Sequence, residues 1–381
     1  KKIAIRTGLM HRKADNDFDY SYGNDTRTWQ HARQRLSGLN QTIDWQVGQH
    51  HYLYARVWLQ KQDNQVPNPS TVLREGTAIQ EDFSARSMLG YLYSANNWEI
   101  RYQSAFLFQT LDYTDPMIQL VSESESSSYV QQLEATRHLN RTDRVSFGTH
   151  FIHERTATAN YIGNPTRNRW VLAGAYQFTP IPKTQVVLSV REEIIDGNTT
   201  PIAPGIKVQF NASRSVSAYV SLNRSYRIPT FNDLYWAGAG GAGNPSLNPE
   251  LSLGGEIGGT LKLPFMTLTA AAYSQSIDDW IQWIPEEGSI WTPVNLKEVW
   301  ARGIETMAEA QLQISDFTIH GAAAYRFTKT TNEDMYDASN SAEMGNQLIL
   351  VPLHSGNISV SVKHPLINLS YIHAITGSQY T

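Results

Sequence analysis

Apolar and polar residues alternate with a period of two in run after run of this chain, and the connections between the runs are short and long by turns. Between 253 and 263, Leu253, Gly255, Ile257, Gly259, Leu261 and Leu263 share one side, and Gly254, Glu256, Gly258, Thr260 and Lys262 share the other. That describes a strand with one oily face and one wet face. The same split appears at 206–213, where Ile206, Val208, Phe210 and Ala212 oppose Lys207, Gln209, Asn211 and Ser213. It recurs at 302–312 and at 357–363, where Ile358, Val360 and Val362 oppose Asn357, Ser359, Ser361 and Lys363. Segments 50–60 and 100–110 carry aromatics on both faces, so their alternation is blurred.

Marking every such run gives about seventeen strands. Tight connections fall at Gly48-Gln49, Asn96-Asn97, Asn140 to Asp143, Pro180 to Lys183, Ser213 to Ser215, Pro264-Phe265, Ser315-Asp316 and Pro365-Leu366. Long ones fall between them, at 13–27, 62–77, 112–127, 156–167, 196–203, 226–250, 285–295 and 330–347. Tight turns at one end of the strands and long polar loops at the other define an all-β fold, a transmembrane antiparallel up-and-down β-barrel. Aromatics near strand ends, as in Tyr91, Tyr93 and Trp98 or Trp280 and Trp283, stand where interfacial girdles belong. A soluble β-propeller also carries many amphipathic strands, but no blade-length repeat of about 40 to 50 residues is present.

Composition narrows the function. The 381 residues include no cysteine, which excludes disulfides, thiolate metal sites and cysteine nucleophiles. A net charge of -4 with both signs interspersed argues against nucleic acid as a partner. No run approaches the roughly 18 apolar residues a membrane helix needs. His50-His51 and the pair His150 and His153 are the metal-like spacings, yet His150 and His153 point to opposite faces of a strand. No nucleophile elbow, phosphate loop or zinc helix occurs, so nothing points to an enzyme. The segment from Tyr161 to Asn168 and the Ser122 to Ser128 run read as solvated loops.

One stretch carries a signature. Ser225-Tyr226-Arg227-Ile228-Pro229-Thr230-Phe231-Asn232-Asp233-Leu234-Tyr235-Trp236 is followed by a glycine-rich run and then Gly243-Asn244-Pro245-Ser246-Leu247-Asn248-Pro249-Glu250. It resembles the strand end and following turn of TonB-dependent outer-membrane receptors. The residues agree with a loop: Pro229, Pro245 and Pro249 cannot donate to a ladder, and Glu250 heads the next strand at the rim. A second match, from Asn295 to Gly303-Ile304-Glu305, resembles a strand of the same family, with Gly303 and Glu305 facing the lumen.

The resemblance implies a barrel of about 22 strands around an N-terminal plug. Residues 1–381 then form one partial barrel domain, from about the third strand to the nineteenth, with the plug and closing strands outside it. It further implies a bacterial outer-membrane receptor that captures a scarce nutrient and is energised through the TonB complex acting on the plug. Outer-membrane lipid surrounds the barrel, and in some lineages a surface lipoprotein is a further partner. Ligand contacts are expected at Tyr226, Arg227, Phe231, Tyr235, Trp236 and Trp291, aromatic and polar residues of the long loops. Spacing and compact loops look most like the cobalamin receptors. In these an acidic loop holds Ca²⁺, and Asp15, Asp17 and Asp19, with Asp25 nearby, form a similar acidic segment. Ferric-siderophore and haem receptors share the Tyr-Arg-x-Pro signature, and an unplugged porin-like barrel is the remaining alternative.

Overall fold

The computed structural model describes residues 2–68, 72, 74–238, 240–285, 290–333 and 344–380. Each long strand pairs antiparallel with its sequence neighbours, and together they make one up-and-down sheet. In chain order its strands are β1 (Lys2–Ala14), β4 (Gln34–Gln46), β5 (His51–Val66), β6 (Ala78–Ala95), β7 (Trp98–Asp115), β8 (Leu120–His138) and β9 (Arg144–Thr158). There follow β10 (Thr166–Ile181), β11 (Thr184–Ile195), β13 (Ala203–Asn211), β14 (Val216–Arg227), β15 (Glu250–Lys262) and β16 (Met266–Pro285). The last are β17 (Trp291–Ile314), β18 (Phe317–Asn332), β19 (His354–His364) and β20 (Ile367–Thr376). The two-residue β12 (Asn198–Thr199) extends the ladder of β11, and β2 (Asp19–Tyr22) with β3 (Asp25–Thr28) makes a separate hairpin in the first long loop. Among the described residues β1 and β20 are each paired on one side only, so the sheet is not closed.

The registers separate two faces. Phe178, Val186, Val208, Val220, Ile257, Ala272, Ile304 and Phe327 lie opposite one another in a continuous row. Ile257, Ile304 and Val220 on this row are 62%, 49% and 45% exposed, the signature of a sheet whose apolar side meets lipid rather than a protein core. The neighbouring row on the other face reads Lys207, Ser221, Glu256, Tyr273, Gly303 and Thr328. Ion pairs lie on this polar wall, including Arg326 with Glu305 at 2.8 Å and Arg101 with Glu134 at 3.5 Å. Gly303 and Glu305 therefore face the lumen, as their strand resemblance implies.

Glycine on this wall makes room for tyrosine. Tyr219 lies opposite Gly258 and Tyr273 opposite Gly303. A Cβ on Gly258 would stand 2.7 Å from the Tyr219 ring, and one on Gly303 would stand 2.7 Å from the Tyr273 hydroxyl. Each ring lies across the neighbouring glycine and covers its bare backbone, a cross-strand pairing that also pins register.

All eight expected tight turns are present, because β-strands end at each of them on the same side. In the 139–143 turn the Asn140 side chain accepts from the amides of Thr142 and Asp143 at 2.8 and 2.9 Å, an Asx-type turn. Asp143 in return is held below its ordinary pKa by the side chains of Asn140 and Thr142. The expected long loop at 112–127 is a correction: β7 runs to Asp115 and β8 starts at Leu120, leaving a four-residue turn. The Ser122 to Ser128 run is strand, paired from Tyr113↔Ser122 to Leu107↔Ser128. These strands stand beyond the apolar band, where both faces are wet and alternation has nothing to record.

Candidate functional site at the long-loop rim

The signature segment folds as a fixed plate on the rim. Pro229 stops β14, and Thr230 caps a single helical turn, α1 (Phe231–Tyr235). The Thr230 hydroxyl accepts from the Asp233 amide at 3.1 Å, while Asp233 accepts from the Thr230 amide at 2.9 Å, a reciprocal capping box. Asp233 is 6% exposed and does more than cap. It also accepts from the indole Nε1 of Trp283 at 2.9 Å, and Arg227 approaches it to 3.8 Å. Its carbonyl accepts from the amide of Asn244 at 2.7 Å, which folds the Gly-Asn-Pro turn back onto the helix.

Neighbouring loops are stapled to this plate. The amide of Ile162 donates to the Tyr235 carbonyl at 3.0 Å, and that of Ala237 to the Asn160 carbonyl at 2.7 Å. Tyr161 donates its hydroxyl to Asn232 and meets the Trp236 ring edge-on at 6.4 Å. Burial, with the nearby charge of Asp233, raises the Tyr161 phenol above its ordinary pKa. On the other side, Trp291 exchanges backbone hydrogen bonds with Gly240 and Ala242, both at 2.9 Å. Gly240, with φ of 76°, supplies the left-handed turn this approach requires. Asn295, the first residue of the second matched strand, donates to the Asp279 carbonyl at 2.7 Å and accepts from the Asn248 amide at 2.9 Å. It ties an irregularity in β16, where Asp279 has φ of 56°, to the loop.

Below the plate lies a charged network. Glu193 is fully buried and accepts from Arg169 and from the Tyr226 hydroxyl, the latter at 2.6 Å. Arg191 reaches the same carboxylate at 3.5 Å. Arg167 donates to Glu154 and to the Pro229 carbonyl, both at 2.9 Å, and its guanidinium lies 4.6 Å from the Phe231 ring centre. A buried carboxylate is tolerable only with such complete pairing.

The six residues expected to touch ligand are therefore in one neighbourhood, in different circumstances. Tyr226 is half-buried with its hydroxyl committed to Glu193. Arg227 pairs with Glu250 yet keeps 47% of its side chain exposed. Phe231 lies under Arg167, Tyr235 packs 6.1 Å from Phe231, and Trp236 is enclosed by Tyr161 and the glycines. Trp291 is 43% exposed. Asp233, Glu193, Trp283 and Tyr161 hold the site together without being expected at it: Asp233 stands in the signature stretch with no role assigned, and Trp283, expected in an interfacial girdle, instead donates to Asp233 in the plate. Tyr161, read as part of a solvated loop, was the one aromatic in it. Elsewhere on the rim, Asp15 faces Lys13 at 3.1 Å, Asp19 accepts from Thr28 at 2.6 Å, and Asp25 faces Arg27 at 3.8 Å. Among the described residues no three His, Asp or Glu side chains lie together as a metal site would need.

An amphipathic meander with a polar inner wall, tight turns at one end and a stapled loop plate at the other is the barrel of an outer-membrane receptor. The chain belongs to the TonB dependent receptor-like, beta-barrel family, whose model matches residues 5–381. The family is one of receptors and transporters of the bacterial outer membrane, not of enzymes. Over 108 residues the chain is 40% identical to the vitamin B12 transporter BtuB of Vibrio vulnificus, a match covering 28% of this chain and 16% of that one. The ferric-catecholate import receptor Fiu of E. coli K12 superposes with a TM-score of 0.76 at 13% identity, over 99% of this chain and 67% of that one. A mutant of the ferric enterobactin receptor PfeA of Pseudomonas aeruginosa does so at 0.75 and 12%, over 100% and 63%. At such identities the two structures speak for the fold alone, and the matched part of the chain spans well under two thirds of the B12 transporter.

Proposed function

We propose that this barrel serves active uptake of a cobalamin or a similar metal chelate, energised through TonB by way of a plug. The observation that carries the choice of ligand is the 40% identity to a vitamin B12 transporter. The rim is built for such a task. A large ligand binds best to a surface already ordered, because little freedom is lost on capture. Trp291 and Arg227 offer an exposed aromatic and an exposed cation on that ordered surface, the residue types that dominate binding energy at interfaces. Tyr226, Phe231, Tyr235 and Trp236 act from behind it.

The test is titration of the receptor, purified from outer membranes, with cyanocobalamin and separately with ferric enterobactin. Binding of cyanocobalamin that falls at least tenfold in Trp291→Ala, with the loop still folded, supports the reading. Saturable binding of the ferric siderophore without cobalamin binding overturns it. Calcium belongs to the same proposal: Asp15, Asp17, Asp19 and Asp25 offer the carboxylate oxygens Ca²⁺ favours, and the ion would have to draw three of them away from Lys13, Thr28 and Arg27. Equal cobalamin affinity in Ca²⁺ and in chelator removes that part. A surface lipoprotein as a further partner is tested by co-purification from the same membranes.

A further inference from the structure

Arg167, on β10, serves two parts of the chain at once. Its Nε donates to Glu154, directly opposite it on β9, at 2.9 Å, while its Nη1 donates to the Pro229 carbonyl at 2.9 Å. The guanidinium carbon lies 4.6 Å from the centre of the Phe231 ring, and only 12% of the side chain is exposed. Pro229 stands past the end of β14 and ahead of the first helical bond, which runs from the Leu234 amide to the Thr230 carbonyl. Its carbonyl therefore belongs to neither ladder nor helix, and the arginine supplies the donor it needs.

The two ends of this contact start far apart on the wall. β11 and β13 lie between β10 and β14, and three strand spacings amount to about 14 Å, more than an arginine side chain covers. The contact forms because the chain after Pro229 leaves β14 and crosses the mouth of the lumen toward β10. There the loop at 159–165 meets it, through the Ile162 amide on the Tyr235 carbonyl, the Ala237 amide on the Asn160 carbonyl and the Tyr161 hydroxyl on Asn232. Those bonds come from a loop, whereas Arg167 comes from a strand whose place is set by ladders on both sides. On the far side, Trp283 and Trp291 hold the plate to β16 and β17.

We infer that Arg167 is a positioning residue for ligand capture, holding the plate across the lumen mouth without touching the ligand. The inference rests on reading the rim as the surface that captures the ligand. Released by Arg167, the plate would fall back toward β16 and β17 as a unit, since its capping box and the bond from the Asn244 amide to the Asp233 carbonyl lie inside it. Tyr235 and Trp236 would move with it. Ligand would then meet the finished surface in only a fraction of receptors, which slows capture in proportion to that fraction and leaves escape of bound ligand unchanged.

The test is to measure association and dissociation rates of cyanocobalamin on the receptor purified from outer membranes, together with amide exchange on the same samples. Arg167→Gln should bind about tenfold more slowly, for the loss of one charged hydrogen bond and one cation–π contact, with dissociation unchanged. Trp291→Ala, by contrast, should act on dissociation. In Arg167→Gln the amides of Ile162 and Ala237, which bridge loop and plate, should exchange faster, while those of Leu234 and Asn244, inside the plate, keep their protection. Arg167→Lys leaves a cation beside Glu154 and removes the fork, so it should show the same pattern more weakly with the wall network intact. Faster dissociation with association unchanged would make Arg167 a ligand contact, and unchanged rates with Ile162 and Ala237 still protected would mean that the plate stands without it; either result overturns the inference. If the wild type binds no cobalamin, the choice of ligand falls, and the protection of Ile162 and Ala237 decides the role of Arg167 by itself.

Discussion

Replacing Asp233 by alanine should loosen the rim while leaving the barrel standing. The carboxylate accepts from the Thr230 amide and hydroxyl and from the Trp283 indole, and it faces Arg227. Removing it costs the helix cap about 1 kcal/mol. The substitution also leaves the half-buried Trp283 N–H without its acceptor, a further 1 to 3 kcal/mol or so. Arg227 retains Glu250 and loses little. The sum, about 2 to 4 kcal/mol, falls on a local opening of 228–249, since no strand ladder depends on this side chain. Hydrogen exchange of the receptor in detergent should then show amides of Leu234, Trp236 and Asn244 exchanging about thirty- to a thousandfold faster. Those of β14 and β15 should be unchanged. If the loop amides keep their protection, Asp233 is not the hub of the plate. If β14 loses protection equally, the plate and barrel are one cooperative unit.

Other outcomes follow from the same geometry. Glu193→Ala, which leaves Arg169 and Tyr226 facing an emptied site, should destabilise the upper ends of β10 and β11 by about 3 kcal/mol; limited proteolysis after 195 would report it. Gly303→Ala drives a Cβ against Tyr273 and the Phe327 carbonyl and should cost about 1 to 3 kcal/mol. Its thermal midpoint should recover only in part with Tyr273→Ser, because the carbonyl contact persists. At the 139–143 turn, the lowered pKa of Asp143 means that its contribution is present above its unfolded value of 3.8 and is lost as the pH falls through the folded value. Amide protection of this turn should therefore decline on acidification below about pH 4 in the native chain, and Asp143→Asn should show no such decline.

Architecture was legible because a lipid-facing sheet writes its two faces directly into sequence. Ile257 against Glu256 needs no tertiary knowledge to interpret. That legibility ended where the strands leave the membrane: Ser122 to Ser128 pair as regular strand, but with water on both sides no apolar side chain marks them. The helical turn at 231–235 was equally hidden, since five residues show no period, although Thr230 and Asp233 had the spacing of a capping box. For the site, sequence brought together the right neighbourhood through the Tyr-Arg-x-Pro stretch and Asn295. It did not reveal that Asp233 meets Trp283, fifty positions on, or that Glu193 meets Tyr226. Partners so distant are set by register across several hairpins, and no local spacing encodes them. Of the six residues favoured for ligand contact, the most exposed are Arg227 and Trp291, while Tyr226 spends its hydroxyl on the scaffold.

Pairing of every long strand with its sequence neighbours bears on how the sheet is assembled. Each hairpin with a tight turn can close on itself within microseconds, and the next can be added at the growing edge without waiting for a distant segment. Register is then set hairpin by hairpin, and an error in one shifts all those built on it. Tyr219 against Gly258 and Tyr273 against Gly303 sit on the β14–β15 and β16–β17 pairings, with one pairing between them. A slip by one residue would drive each ring into a side chain or out toward lipid, so these pairs penalise a misaligned register at two places in the sheet.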